Sequence, residues 1–197
     1  MMTELLTSDE GQTARKLART AIEEYLGSGE VIKPESPPDI PGLPPVFKNN
    51  RGVFVTLNNR SGSRRELRGC IGRPYPVMPL GEAIVISAIN AATEDPRFMP
   101  VTLNELNNLE IEVTVLTTPH RVEARPEELP DKIEVGRHGL IVQKGPYSGL
   151  LLPQVAVEND FDAEEFLGQT CMKAGLFPDA WFESDTEVLA FEGQIFH

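Results

Sequence analysis

Leu67-Arg68-Gly69-Cys70-Ile71-Gly72 is the stretch from which the rest of the chain is read. It sets one of the two cysteines between two glycines, at the end of an expected strand. Side chains alternate along a strand, so Leu67, Gly69 and Ile71 are expected on one face and Arg68 and Cys70 on the other. A glycine inside a strand costs stability and often marks a bulge or a close backbone approach. Gly72, followed by Pro74 and Pro76, ends the strand in a turn-rich loop. A guanidinium two residues from a thiol on one face would lower the thiol pKa. A buried structural cysteine and a metal ligand are the competing readings of Cys70. On the residues alone all three stay open.

Working outward, Gly52-Val53-Phe54-Val55-Thr56-Leu57 reads as a strand and residues 58–63 as a turn, so the Cys70 strand belongs to a hairpin. In residues 109–117, Leu109, Ile111, Val113 and Val115 alternate with Glu110, Glu112 and Thr114. One dry and one wet face argue for an antiparallel sheet. We expect residues 53–57, 66–71 and 110–116 in one mainly antiparallel sheet, and an α+β fold.

Helices are expected around that sheet. Ser8 is the expected cap of the first, with Asp9 and Glu10 in its opening turn. Ala14, Leu17, Ala18, Ala21, Ile22 and Tyr25 form its apolar stripe, Gly27 its stop, and Arg15, Lys16, Arg19 and Glu23 a solvated face. Residues 33–45 hold Pro34, Pro37, Pro38, Pro41, Pro44 and Pro45 and read as an extended connection over the core. Pro79 opens a second helix with Leu80, Ile84, Ala88 and Ala91 on its apolar line, and Pro96 bars its continuation. Asp95-Pro96-Arg97-Phe98 brings an acid and a base together in a loop. It reads equally as an Asp-initiated turn or as a ligand contact.

Further on, Thr102 and Glu105 have capping-box spacing. Leu140-Ile141-Val142 and Leu150-Leu151-Leu152 flank a Gly- and Pro-containing turn and read as a second hairpin. His138 is expected in an open turn before it, either as a solvated histidine or as an acid–base or donor group. Asp162 and Glu165 cap a third helix whose buried stripe includes Phe166, Leu167, Thr170 and Cys171. Residues 188–191 and 194–196 form a closing strand interrupted at Gly193.

Composition narrows the function classes. A formal charge of -12 disfavours a generic nucleic-acid surface, which needs clustered Lys and Arg. Two cysteines make no disulfide framework and fit a reducing cytoplasm. No apolar run approaches the roughly 20 residues of a membrane span, and Met1-Met2-Thr3-Glu4 lacks the features of a signal peptide. There is no Walker-type loop and no dinucleotide-binding fingerprint. Cys70, Cys171, His120, His138 and His197 are too scattered to spell a zinc motif. Cys70 and His138 supply the residue types of a cysteine–histidine pair, but spacing does not show that they meet.

Several motifs then occur in order: "RGVFVTL", "LRGCIG", "DPRF", "GRHGL", "LLPQVA" and "KAGL", ending near Trp181. With them the chain resembles the AMMECR domain family over almost its whole length; the Pro-rich stretch before Val46 matches least. The resemblance implies one α+β domain over 1–197, with a mainly antiparallel sheet, flanking helices and two unequal lobes. It also implies a cleft beside LRGCIG, lined by Arg68, Gly69, Cys70, Ile71, Gly72, Asp95, Arg97, His138 and Gln154. No established reaction or cofactor comes with it. Microbial relatives are associated in gene context with Memo-type and radical SAM proteins, and the human relative with regulation.

The expectation is therefore a cytosolic enzyme or substrate-binding component with its pocket at LRGCIG. Cys70 would be nucleophile or ligand contact, His138 acid–base group or donor, and Arg68 and Arg97 holders of an anionic group. A non-catalytic interaction module using the same groove is the rival. RNA binding through the two arginines is the third reading.

Overall fold

The structure is a computed structural model. It describes residues 5–35, 37, 39, 40, 42–61 and 64–197, with the backbone alone at 61 and 64. The chain divides into two compact units. The first is Met1–Leu116 with Gln194–His197, and the second is Thr117–Gly193.

In the first unit, strands β1 (Val53–Ser61), β2 (Arg64–Arg73) and β3 (Leu109–Leu116) form the expected antiparallel sheet, with β1 in the centre. Val53, Val55, Leu57, Ile111, Val113 and Val115 are buried on one face. Helices α1 (Ser8–Ser28) and α2 (Leu80–Thr93) pack on each other and on this sheet. The predicted stripe of α1 is buried from Ala14 to Ile22. α2 buries ten of its fourteen residues. Its small residues let its backbone approach the strands closely, as where Ala91 O meets Gly69 of β2, while Gly81 lies against Pro34, Leu43 and Phe47. Full burial of each large aliphatic side chain is worth about 1.5–3 kcal/mol, so this face carries most of the unit's stability.

The boundaries depart from expectation where local hydrogen bonding outweighs spacing. Thr7, not Ser8, caps α1, because its side chain accepts the Glu10 N–H while Glu10 reaches back to the Thr7 N–H. The stop is Gly29, not Gly27, since Gly29 takes the left-handed φ of 78° that closes the helix. Residues 58–61 continue β1 instead of turning, and residues 62 and 63 lie outside the described residues. The described residues of 33–44 contain no helix or strand, but Pro45, expected in the extended connection, opens a single 3-10 turn, Pro45–Lys48, where its missing N–H costs nothing. Within 33–44, Ile40 is buried and Leu43 packs against the core, as an extended connection requires. Pro38 and Pro41 lie outside the described residues.

The short helix α3 (Leu103–Leu106) carries the Thr102/Glu105 capping box. In the second unit, β4 (His120–Arg121) and β5 (His138–Lys144) both pair antiparallel with β7 (Glu187–Phe196), and β5 pairs with β6 (Tyr147–Leu151). The closing strand is thus continuous through Gly193, and its last residues belong to the first unit. α4 (Leu129–Lys132), α5 (Pro153–Glu158) and α6 (Ala163–Lys173) complete the unit. Asp162 and Glu165 form the predicted capping box of α6. Phe166, Leu167 and Cys171 are buried in its core.

Candidate functional site

The alternation expected through Leu67–Gly72 slips by one residue. Leu57 pairs with Gly69, but Asn58 pairs with Leu67, which leaves Arg68 as the extra residue of a bulge. Leu67 is therefore not on the Gly69 face and is 37% exposed. Arg68, as the bulged residue, has no partner on β1. Its guanidinium forks onto Glu105, Nε to Oε1 at 2.5 Å and Nη2 to Oε2 at 3.2 Å.

Gly69 is where the chain needs the smallest residue. A Cβ built on it would lie 2.2 Å from the Ala91 carbonyl oxygen of α2. The close-approach reading of this glycine holds, next to a bulge. Gly72 is similar in kind, since a Cβ there would run into the Phe54 ring at 2.1 Å. Ile71, half-buried, packs against the core.

Cys70 sits opposite Thr56. The Thr56 hydroxyl donates to Sγ at 3.3 Å, and the residue is only partly buried. β2 is an edge strand, so some of its backbone groups need partners outside the ladder. The Cys70 N–H finds one in Asp95 Oδ2 at 2.8 Å. Asp95 is 5% exposed and accepts three further bonds from Arg97. These are the backbone N–H at 3.1 Å and Nε at 3.0 Å, both to Oδ1, and Nη2 at 2.7 Å to Oδ2.

The Arg97 guanidinium, with help from the two backbone N–H groups and against the effect of burial, holds the Asp95 carboxyl far below the usual carboxylate range. The same pairing raises the pKa of Arg97. Arg97 Nη2 also reaches the Cys70 carbonyl at 3.5 Å, and its side chain stays 55% exposed. Phe98 lies under both arginines, 5.5 Å from Arg97 and 5.9 Å from Arg68.

The Asp-initiated turn expected at Asp95-Pro96-Arg97-Phe98 is present. Asp95 closes a turn onto the Arg97 N–H, and the same carboxylate binds the cysteine strand. Thr56 and Glu105 were missed as site neighbours. Thr56 is visible only once the hairpin register is known, and the spacing of Glu105 from Thr102 signals only its part in a cap.

His138 and Gln154 belong to the second unit. His138 is not in an open turn. It is the first residue of β5, paired with Glu192 and half-buried. Its Nδ1 accepts the Glu134 N–H at 3.0 Å, which assigns the ring proton of the neutral form to Nε2. Burial lowers its pKa, with Arg137 acting in the same direction and Glu134 and Glu192 opposing. Gln154 is exposed in the first turn of α5. Among the described residues, no group of three or more His, Cys, Asp or Glu is arranged to hold a metal ion.

The AMMECR1 family model matches residues 15–196, which takes in both units and all of these residues. The chain belongs to the AMMECR1 family. It is 56% identical to a Methanosarcina acetivorans protein over 192 residues, covering 98% of this chain and 93% of the relative. It is 55% identical to a Pyrococcus furiosus protein over 187 residues, covering 94% and 87% respectively. The crystal structure of an uncharacterized protein from Pyrococcus horikoshii is similar, with a TM-score of 0.80 and 53% identity, covering 96% of this chain and 92% of that one. No described helix is long and apolar enough to cross a membrane.

Proposed function

We propose that this AMMECR1-family chain is a cytosolic enzyme or substrate-binding component whose site is built on Leu67-Arg68-Gly69-Cys70-Ile71-Gly72. Cys70 contacts or attacks the substrate, and Arg97 holds an anionic group on it. The supporting observation is the double duty of Asp95. One buried carboxylate fixes both the backbone of the thiol residue and an exposed guanidinium. A half-exposed thiol beside a pinned cation is preorganised for a small carboxylate or phosphate compound with an electrophilic carbon near the charge.

Arg68, paired with Glu105, supports this frame, and Gly69, Ile71 and Gly72 shape it. His138, whose pKa burial lowers, is the candidate acid–base group or hydrogen-bond donor of the second unit, and Gln154 a candidate polar contact. The two units act in this reading as one domain of the family type, in a pathway shared with Memo-type and radical SAM proteins. Met99, two residues beyond Arg97 and 81% exposed, favours the rival reading of a peptide-holding module.

The test is protection from alkylation. A panel of small carboxylates and phosphates is screened for compounds that slow iodoacetamide labelling of Cys70, in which the thiolate displaces iodide to form a thioether. The proposal expects at least one protecting compound, and expects Arg97→Gln to abolish its effect. If no compound protects, and peptides bind equally well to wild type and Cys70→Ser, the module reading replaces it.

A further inference from the structure

We propose that the first unit carries a second ligand site, a cationic cavity on α1 that takes the phosphoryl group of a small molecule. Arg15, Lys16, Arg19 and Arg60 line a cavity of about 350 Å³ together with Gln12 and Glu110. Four cations around one carboxylate run against a chain whose formal charge is -12. That one carboxylate is itself engaged from outside the cavity by Arg65, at 3.3 Å.

From the sequence, the α1 face bearing Arg15, Lys16 and Arg19 reads as solvated surface. Instead Arg15 and Arg19 are half-buried and reach across to backbone carbonyls. Arg15 Nε donates to Ile111 O at 3.1 Å, and both Nη atoms of Arg19 lie 3.4 Å from Leu106 O. Arg15 Nη1 donates to Gln12 Oε1 at 3.0 Å, and Lys16 Nζ to Asp39 O. Carbonyl and amide acceptors fix the position of a cation without cancelling its charge. Among the described residues, Arg19 of these three also meets a carboxylate, Glu23 at 3.5 Å. The guanidinium groups are thus ordered before any ligand arrives, which lowers the entropic cost of binding one.

A phosphoryl group carries about -1.5 to -2 charges and accepts the planar fork of arginine well. The volume lies at the small end of the roughly 300–1,000 Å³ found for ligand sites, so a head group fits better than a large molecule. A nucleic acid would need a basic stripe along its backbone, and the overall charge opposes one. This site is independent of the Cys70 reading.

The experiment is calorimetric titration of the full chain with inorganic pyrophosphate at low salt. The expected result is saturable binding of one equivalent. Lys16→Gln with Arg60→Gln should weaken it about tenfold or more, the loss expected for two charge-assisted contacts. Both residues are exposed, so an unchanged melting temperature checks that the double variant is folded. Arg97→Gln should leave pyrophosphate binding unaltered, which separates this site from the Cys70 site. The proposal is overturned by lack of saturation at about 10 mM, or by an affinity unchanged in the double variant. Single-stranded RNA binding that is lost in the double variant while pyrophosphate fails to saturate also overturns it.

Discussion

Replacing Asp95 with Asn should destabilise the first unit although the side chain hardly changes in size. The carboxylate takes four hydrogen bonds, from the Cys70 N–H, the Arg97 N–H, Nε and Nη2. An amide has one acceptor oxygen. If its nitrogen replaces Oδ2, the Cys70 N–H and Arg97 Nη2 lose their acceptor; if it replaces Oδ1, the Arg97 N–H and Nε do. Two donors meet another donor in either orientation. A hydrogen bond to a charged group is worth about 1.5–3 kcal/mol. Arg97 is 55% exposed and can turn to water, so we take the lower part of the range and expect a loss of about 2–4 kcal/mol.

For a chain of this length each kcal/mol moves the melting temperature by about 2–4 °C, which gives a fall of roughly 5–15 °C. Thermal and urea denaturation at pH 7 measure it. A loss under about 0.5 kcal/mol, the level of an ordinary surface substitution, would refute the claim that Asp95 organises the site. The pH dependence adds a sign. The Asp95 pKa is lower in the folded state than its ordinary 3.8, so the unfolded chain takes up its proton first as pH falls. The Asp95 contribution is therefore complete above that value and is lost as pH falls toward the folded pKa. The gap between wild type and Asp95→Asn should be constant around neutral pH and narrow below about pH 4.

Two further outcomes follow from the same geometry. Gly69→Val should cost about 1–3 kcal/mol or more, because even a Cβ would lie 2.2 Å from the Ala91 carbonyl oxygen. Cys70→Ser should cost less, and equal melting temperatures for the two variants would count against the close-approach account. The His138 pKa is lower in the folded state than its ordinary 6.5, so the unfolded chain binds the proton first as pH falls through that value. Wild type should then lose stability relative to His138→Gln below about pH 6.5 and not above it; urea titrations at two pH values read this, and a pH-independent difference would contradict it.

Much of the fold was legible because burial imposes a period on the sequence. The strict alternation of Leu109, Ile111, Val113 and Val115 sets the core face of β3, and the α1 stripe sets the inner face of that helix. Caps were legible where a side chain bonds three residues along, as at Thr102 and Asp162. The candidate site was legible in the sequence as the LRGCIG stretch alone. Its wiring was not, for two physical reasons. Counting by twos cannot see an inserted residue, so the bulge at Arg68 moved Leu67 off the face it was expected to share with Gly69. A tie such as Cys70 N–H to Asp95, 25 residues apart in the chain, depends on how the loop after α2 folds back onto an edge strand. The same limit hid the carbonyl partners of Arg15 and Arg19, which lie 96 and 87 residues away.

The account turns on Cys70 being an accessible thiol in a rigid frame, and a short iodoacetamide pulse on the native protein, read by peptide mass mapping, tests that most directly. Cys171 is the internal control. It is wholly buried, and burial pushes its thiol pKa up. The account predicts that Cys70 is alkylated while the protein remains folded and that Cys171 is modified only on unfolding. If Cys70 stays unlabelled until the protein unfolds, or both thiols label at one rate, the cysteine is structural and the proposed site loses its reactive group.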